Sequence, residues 1–172
     1  MKKVLLSAVA IMAFGVAAQA QDMKFGVKAG ANFTNFGGDY DGDGKTGFYV
    51  GGLVDFGISG NFHIQPELLY SNEGAEDASL DFIRIPVMAK YYLMEGLSLQ
   101  AGPEIAFKVG GDEGIDEGTK SLDFGIGAGV AYELPMGVFF DARYNLGLAN
   151  ISDFDPVDIN NTGFMIGAGY RF

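Results

Sequence analysis

The chain has 172 residues, 27 glycines, 15 phenylalanines, no cysteine and a formal net charge of −11. The missing cysteines exclude a disulfide scaffold, and an acidic chain has the wrong sign for binding nucleic-acid phosphates. With no amphipathic helical stretch of useful length, what remains is a β protein.

The first element in chain order is a targeting signal. Lys2 and Lys3 precede an apolar run from Val4 to Ala18, and Ala18-Gln19-Ala20 offers small residues for cleavage. The run is shorter than the roughly 20 residues of a spanning helix. Residues 1–20 therefore read as a secretory signal peptide and residues 21–172 as one mature domain beginning at Gln21. No later stretch is long and apolar enough for a transmembrane helix.

From Phe25 onward apolar residues recur at every second position, the period of a strand. In the first segment Phe25, Val27, Ala29, Ala31 and Phe33 share one face, and Lys24, Gly26, Lys28, Gly30 and Asn32 the other. The loop that follows, 35–46, contains Asp39, Asp41 and Asp43 with Gly44 after the third, the opening half of a calcium loop. Position 12 of such a loop is a bidentate Glu. Here it is Val50, which belongs to the apolar row of the second segment, and the flanking helices are missing. Asp39, Asp41 and Asp43 are weak candidate metal ligands, and the stretch reads as an ordinary Asp/Gly turn.

The remaining apolar rows, counted in steps of two, run Phe48 to Ile58, Phe62 to Tyr70, Ile83 to Leu93, Leu97 to Phe107, Leu122 to Tyr132, Val138 to Leu148 and Phe164 to Phe172. None of these positions carries a charge. The opposite rows hold Lys24, Lys28, Asp55, Glu67, Arg84, Lys90, Glu104, Lys108, Asp123, Glu133, Asp141, Arg143 and Arg171. A charge facing lipid at the bilayer midplane costs about 2–4 kcal/mol, which accounts for apolar rows without exceptions.

Alternation alone does not say which face is inside, and a soluble barrel with an apolar interior has the same period. Three features favour the apolar face outward. Glycine crowds the polar rows (Gly26, Gly30, Gly51, Gly102, Gly125, Gly127, Gly129, Gly167 and Gly169 among them), as the narrow interior of an eight-strand barrel requires. Short turns around Gly60, Gly96 and Gly137 alternate with longer polar regions at 35–46, 72–80, 110–120 and 150–161. This is the outer-membrane pattern of short periplasmic turns and long external loops. Aromatics gather at both ends of the apolar rows as interfacial girdles. The expected fold is all-β, an eight-stranded antiparallel up-and-down transmembrane β-barrel. Pro66, Pro86 and Pro103 fall inside three consecutive strands. A closed barrel has no edge to receive them; bulges in that patch would reconcile them, but the sequence itself shows none.

The chain at this point resembles the PorT-like outer-membrane β-barrel proteins. The stretches that carry the resemblance are "FGVKAG" (25–30), "IQPELLYS" (64–71), "IPVMAKYY" (85–92), "AGPE" (101–104), "DFGIGAG" (123–129), "DARYNLGL" (141–148) and "GAGYRF" (167–172). They span the mature chain, each short but in a fairly specific order and spacing. The resemblance implies an outer-membrane barrel with both termini in the periplasm, and no single activity.

Within the predicted lumen, Arg84 and Lys90 on the fourth strand lie between Glu67 on the third and Glu104 on the fifth, so an ion-paired plug is expected. That predicts a non-enzymatic, monomeric barrel without a cofactor, structural or binding through its loops. A small-solute, porin-like channel is the alternative. A lipid-modifying enzyme needs a base and a nucleophile near the outer leaflet. His63, the only histidine, follows the turn at Gly60, while Ser71, Ser79 and Ser121 stand at the opposite end. The expected partners are outer-membrane lipid and the barrel-insertion machinery reading the terminal Tyr170 and Phe172. The acidic external regions read as solvated loops that keep the surface soluble, with attraction of divalent cations as the alternative.

Overall fold

The structure, a computed structural model, describes residues 23–38, 44–75, 78–111, 122–148 and 159–172. Residues 1–20, expected as a signal peptide, and Asp39, Asp41 and Asp43 lie outside these residues. Eight strands follow one another in the chain: β1 (Met23–Gly38), β2 (Lys45–Ser59), β3 (Phe62–Ala75), β4 (Ala78–Met94), β5 (Leu97–Gly111), β6 (Leu122–Glu133), β7 (Val138–Gly147) and β8 (Ile159–Arg171). Each pairs antiparallel with the next, and β8 returns to β1 through pairs such as Ala29 with Ala168, closing the barrel. Closure leaves no unpaired sheet edge, which a bilayer demands because it offers no water to exposed backbone groups.

The apolar rows face outward. Phe25, Leu99 and Tyr144 are exposed, as are Phe48, Leu68, Ile126, Phe140 and Ile166. The polar rows face inward, with Lys28, Asp55, Glu67, Arg84, Lys90, Glu104, Asp123, Asp141, Arg143 and Arg171 all buried. Glycines on these rows let bulky side chains lie flat over the neighbouring strands. A Cβ on Gly30 or Gly167 would collide with the ring of Tyr49, and one on Gly169 with the ring of Phe139. At the short turns Gly96 and Gly137 take φ of +80° and +89°, the left-handed region that favours glycine.

The strands differ from the sequence reading in three ways. First, β3 and β4 run on through most of the stretch expected as a loop at 72–80, with Asn72 opposite Asp81 and Glu73 opposite Leu80. Alternation fades there because polar residues occur on both faces. Outside the hydrocarbon an outward polar side chain costs nothing, so the ladder continues. Second, Lys24 is exposed at the turn end rather than enclosed, and Lys108 is only half-buried.

Third, the prolines do not sit in bulges. The register shifts fall at Gly57/Ser59, Asp81/Phe82 and Tyr92/Met94. At the prolines the register is held and local pairs are left out. Pairing between β2 and β3 jumps from Leu53–Glu67 to Phe56–Ile64 around Pro66. Between β3 and β4 it jumps from Pro66–Val87 to Leu69–Arg84, next to Pro86. Between β4 and β5 it jumps from Pro86–Glu104 to Ala89–Ala101, next to Pro103. A proline lacks the N–H for a ladder bond; omitting the pair meets that need without inserting a residue, so the inward and outward rows keep their faces.

Candidate functional site in the barrel lumen

The lumen is filled by charged side chains joined in three groups. The strand β3 contributes to all of them, since His63, Gln65, Glu67, Ser71 and Glu73 follow one another on its inward face.

The group at the turn end is built on Asp55. His63 donates its Nδ1–H to Asp55 Oδ1 at 2.5 Å, the carboxylate being able only to accept. Lys90 Nζ lies 3.4 Å and Arg171 Nη2 3.5 Å from the other oxygen. The Tyr92 hydroxyl accepts from Lys90 and from Arg171 at 3.2 Å each and donates to Glu133 at 3.1 Å. Arg171 also pairs with Glu133 and donates to Gln65 Oε1 at 2.9 Å. A cavity of about 790 Å³ opens onto this group, with His63, Tyr92 and Glu133 at its wall and Lys24, Asn61 and Tyr132 around it.

The middle group centres on Glu67. Arg143 donates to both of its oxygens, at 2.7 and 3.1 Å, and Gln65 Nε2 donates to it at 2.7 Å. Lys28 stands 3.6 Å from Glu67 and 2.7 Å from Asp141. Arg143 reaches Gln100 Oε1 at 3.2 Å. Here each base faces an acid, the arrangement that lets buried charges persist.

The group at the loop end surrounds Arg84. Its Nη1 donates to Glu104 at 2.6 Å, while Nε and Nη2 grip the two oxygens of Glu73. Ser71 donates to Glu73 at 2.6 Å, and Asn32 Nδ2 to Ser71 at 2.7 Å. Asp123 is buried in the field of Arg84, Glu73 and Glu104.

The four residues expected to form one cluster are thus divided. Arg84 and Glu104 meet directly, but Glu67 belongs with Arg143 and Lys28, and Lys90 with Asp55. The reason is the diameter of the barrel. In a narrow closed sheet a long side chain reaches strands on the far wall as readily as its neighbour, so Glu67 on β3 meets Arg143 on β7. Glu73, Asp55, Asp141, Arg143 and Arg171 carry as much of the network as the residues singled out from the sequence. Glu73 was concealed by its polar neighbours, yet continuing the two-residue period from Ser71 puts it on the inward row.

The terminal Phe172 faces outward, its N–H bonded to the Phe25 carbonyl at 2.8 Å and its ring edge-on to Tyr170. His63 and Ser71 lie on the same inward row of β3, separated by about 26 Å along the strand at ~3.3 Å per residue. Ser79 accepts from Asn72 at 3.0 Å and from Lys45; Ser121 lies outside the described residues. Among the described residues no group of three or more His, Asp or Glu side chains is arranged to hold a metal ion.

A closed sheet with an apolar outer surface and a charged interior is a transmembrane β-barrel. The family described as "Outer membrane protein beta-barrel domain" matches residues 6–172, and the chain belongs to it. No curated protein matches the sequence. Among solved structures the fold is similar to the attachment invasion locus protein Ail of Yersinia pestis, with a TM-score of 0.57 at 18% identity, covering 88% of this chain and 100% of Ail. It is similar also to Neisserial surface protein A, with a TM-score of 0.58 at 15% identity over 88% of this chain and 100% of that one. A de novo designed transmembrane β-barrel gives a TM-score of 0.52 at 13% identity, with 87% of this chain and 95% of the design covered.

Proposed function

We propose that this outer membrane β-barrel is a non-enzymatic protein of the PorT-like type, a membrane component or a binding protein whose lumen is closed by its own ion pairs. The observation that carries the reading is the filling itself: the Asp55, Glu67 and Arg84 groups stand one after another along the barrel. Eight strands enclose an interior just wide enough for side chains to fill. The PorT-like assignment has support of its own. The stretches that carry that resemblance supply Lys28, Gln65, Glu67, Lys90, Tyr92, Glu104, Asp123, Asp141, Arg143 and Arg171, so the resemblance follows the lumen network.

In this reading the signal peptide is removed after Ala20, both termini lie in the periplasm, and the barrel works as a monomer. The insertion machinery reads Tyr170 and Phe172, and binding resides in the acidic external regions, where divalent cations are the favoured small partners. His63 is held by Asp55 at the turn end, about 26 Å along β3 from Ser71 at ~3.3 Å per residue, and that separation favours a non-enzymatic role.

Planar-bilayer recording tests the reading. The expected result is no steady conductance from the wild-type barrel. A stable, ion-selective current would overturn the plug and establish the small-solute channel in its place.

A further inference from the structure

Within the eight apolar rows read from the sequence there is a single glycine, Gly52 on β2. Most strand glycines of this barrel are closely overlaid by a neighbouring strand or side chain. Gly52 is not: a Cβ placed there meets only the Gly26 carbonyl oxygen, at 3.7 Å. Glycine inside a strand weakens it and often marks a place where something else approaches the backbone closely.

The wall beside Gly52 is also the place where pairing between β2 and β3 lapses, at Pro66. The two features coincide in a groove of about 450 Å³ on the outer surface. Its sides are Phe25, Val27, Val54, Pro66, Leu68 and Phe172, all apolar and all on outward rows. Glu67, the hub of the middle lumen group, comes to the groove from within the wall. Phe25 and Phe172 place the groove in the half of the membrane nearest the short turns.

The geometry points to a seated lipid: this groove holds one acyl chain of a membrane phospholipid, lying against the backbone of Gly52 and bounded by Leu68, Pro66 and Val54. The occupant follows from the surroundings. The groove opens on the hydrocarbon side of a transmembrane barrel, its lining offers no charge to the outside, and at that depth hydrocarbon is the available partner. A chain held there differs from the lipid around the rest of the barrel because it fills a cleft rather than coating a convex surface.

The site can be filled from the protein side. Since the space beside Gly52 is open, Gly52→Leu and the smaller Gly52→Val put a side chain into the groove without displacing the sheet. Wild type and both variants would be reconstituted in phosphatidylethanolamine vesicles doped with a phospholipid bearing a mid-chain diazirine, irradiated, and mapped by peptide mass spectrometry. Adducts on 25–27, 52–54, 66–68 and Phe172 are expected to exceed those on the outward row of β6 (Phe124, Ile126, Val130) by severalfold. Gly52→Leu is expected to lower the first set to the β6 level and leave the β6 set unchanged. If Gly52→Leu does not insert, Gly52→Val reads the same comparison. Equal labelling around the wild-type barrel, or groove adducts that survive in the inserted variant, would overturn the proposal.

Discussion

At Glu67 one carboxylate serves two cations that have no route to solvent. Glu67→Ala leaves Lys28 with Asp141 at 2.7 Å, but leaves Arg143 only Gln100 at 3.2 Å and Asp141 at 3.9 Å. Removing one partner of a buried pair typically costs about 3–5 kcal/mol, because the other charge is orphaned. The expected outcome is a drop of that order in unfolding free energy, measured by reversible urea titration in lipid vesicles. Glu104→Ala is expected to cost less, since Arg84 keeps two nitrogens on Glu73. Converting Glu67 and Arg143 together to uncharged residues is expected to be milder than Glu67→Ala alone. A double variant as weak as the sum of its parts would show that the orphaned charge is not the source of the loss.

Strand by strand, the outer surface was legible in the sequence and the inner contacts were not. Lipid imposes a one-letter rule on outward positions, no charge, and that rule repeats at a fixed period along every strand, so face and strand number can be read directly. Partners across the lumen follow no local rule. Glu67 and Arg143 are 76 residues apart and meet because the sheet closes with a particular stagger, which no single strand encodes. The prolines fall between these cases. Their positions were plain, but a held register with an omitted pair has the same sequence as a bulge. The closing strand yields a test at this scale. Phe172 caps β8, bonded through its N–H to Phe25 on β1 and edge-on to Tyr170. Deleting it removes the last bond of the β1–β8 seam together with the terminal aromatic. Insertion is expected to fall, leaving chain that a protease degrades in the periplasm. Undiminished amounts of heat-modifiable barrel on a denaturing gel would contradict this.

For the whole barrel, the arrangement of the three groups in series makes a prediction that no single group does. A permeating ion must pass the Asp55, Glu67 and Arg84 groups in turn, and the tightest of them sets the current whatever happens to the others. Clearing the middle group with Glu67→Ala and Arg143→Ala removes its central pair, but Arg84 still bridges Glu73 and Glu104 toward the loops, and Arg171 still bridges Asp55 and Glu133 toward the turns. These outer groups do not depend on Arg143 for a partner. The double variant is therefore expected to remain closed in planar bilayers while losing stability in urea, so that the two measurements separate. Adding Arg84→Ala and Glu104→Ala should admit brief openings only, because the turn-side group is still in place. A steady current from the Glu67/Arg143 variant alone would assign the closure to the middle group, and the two flanking groups would then be fittings of the sheet rather than barriers in their own right.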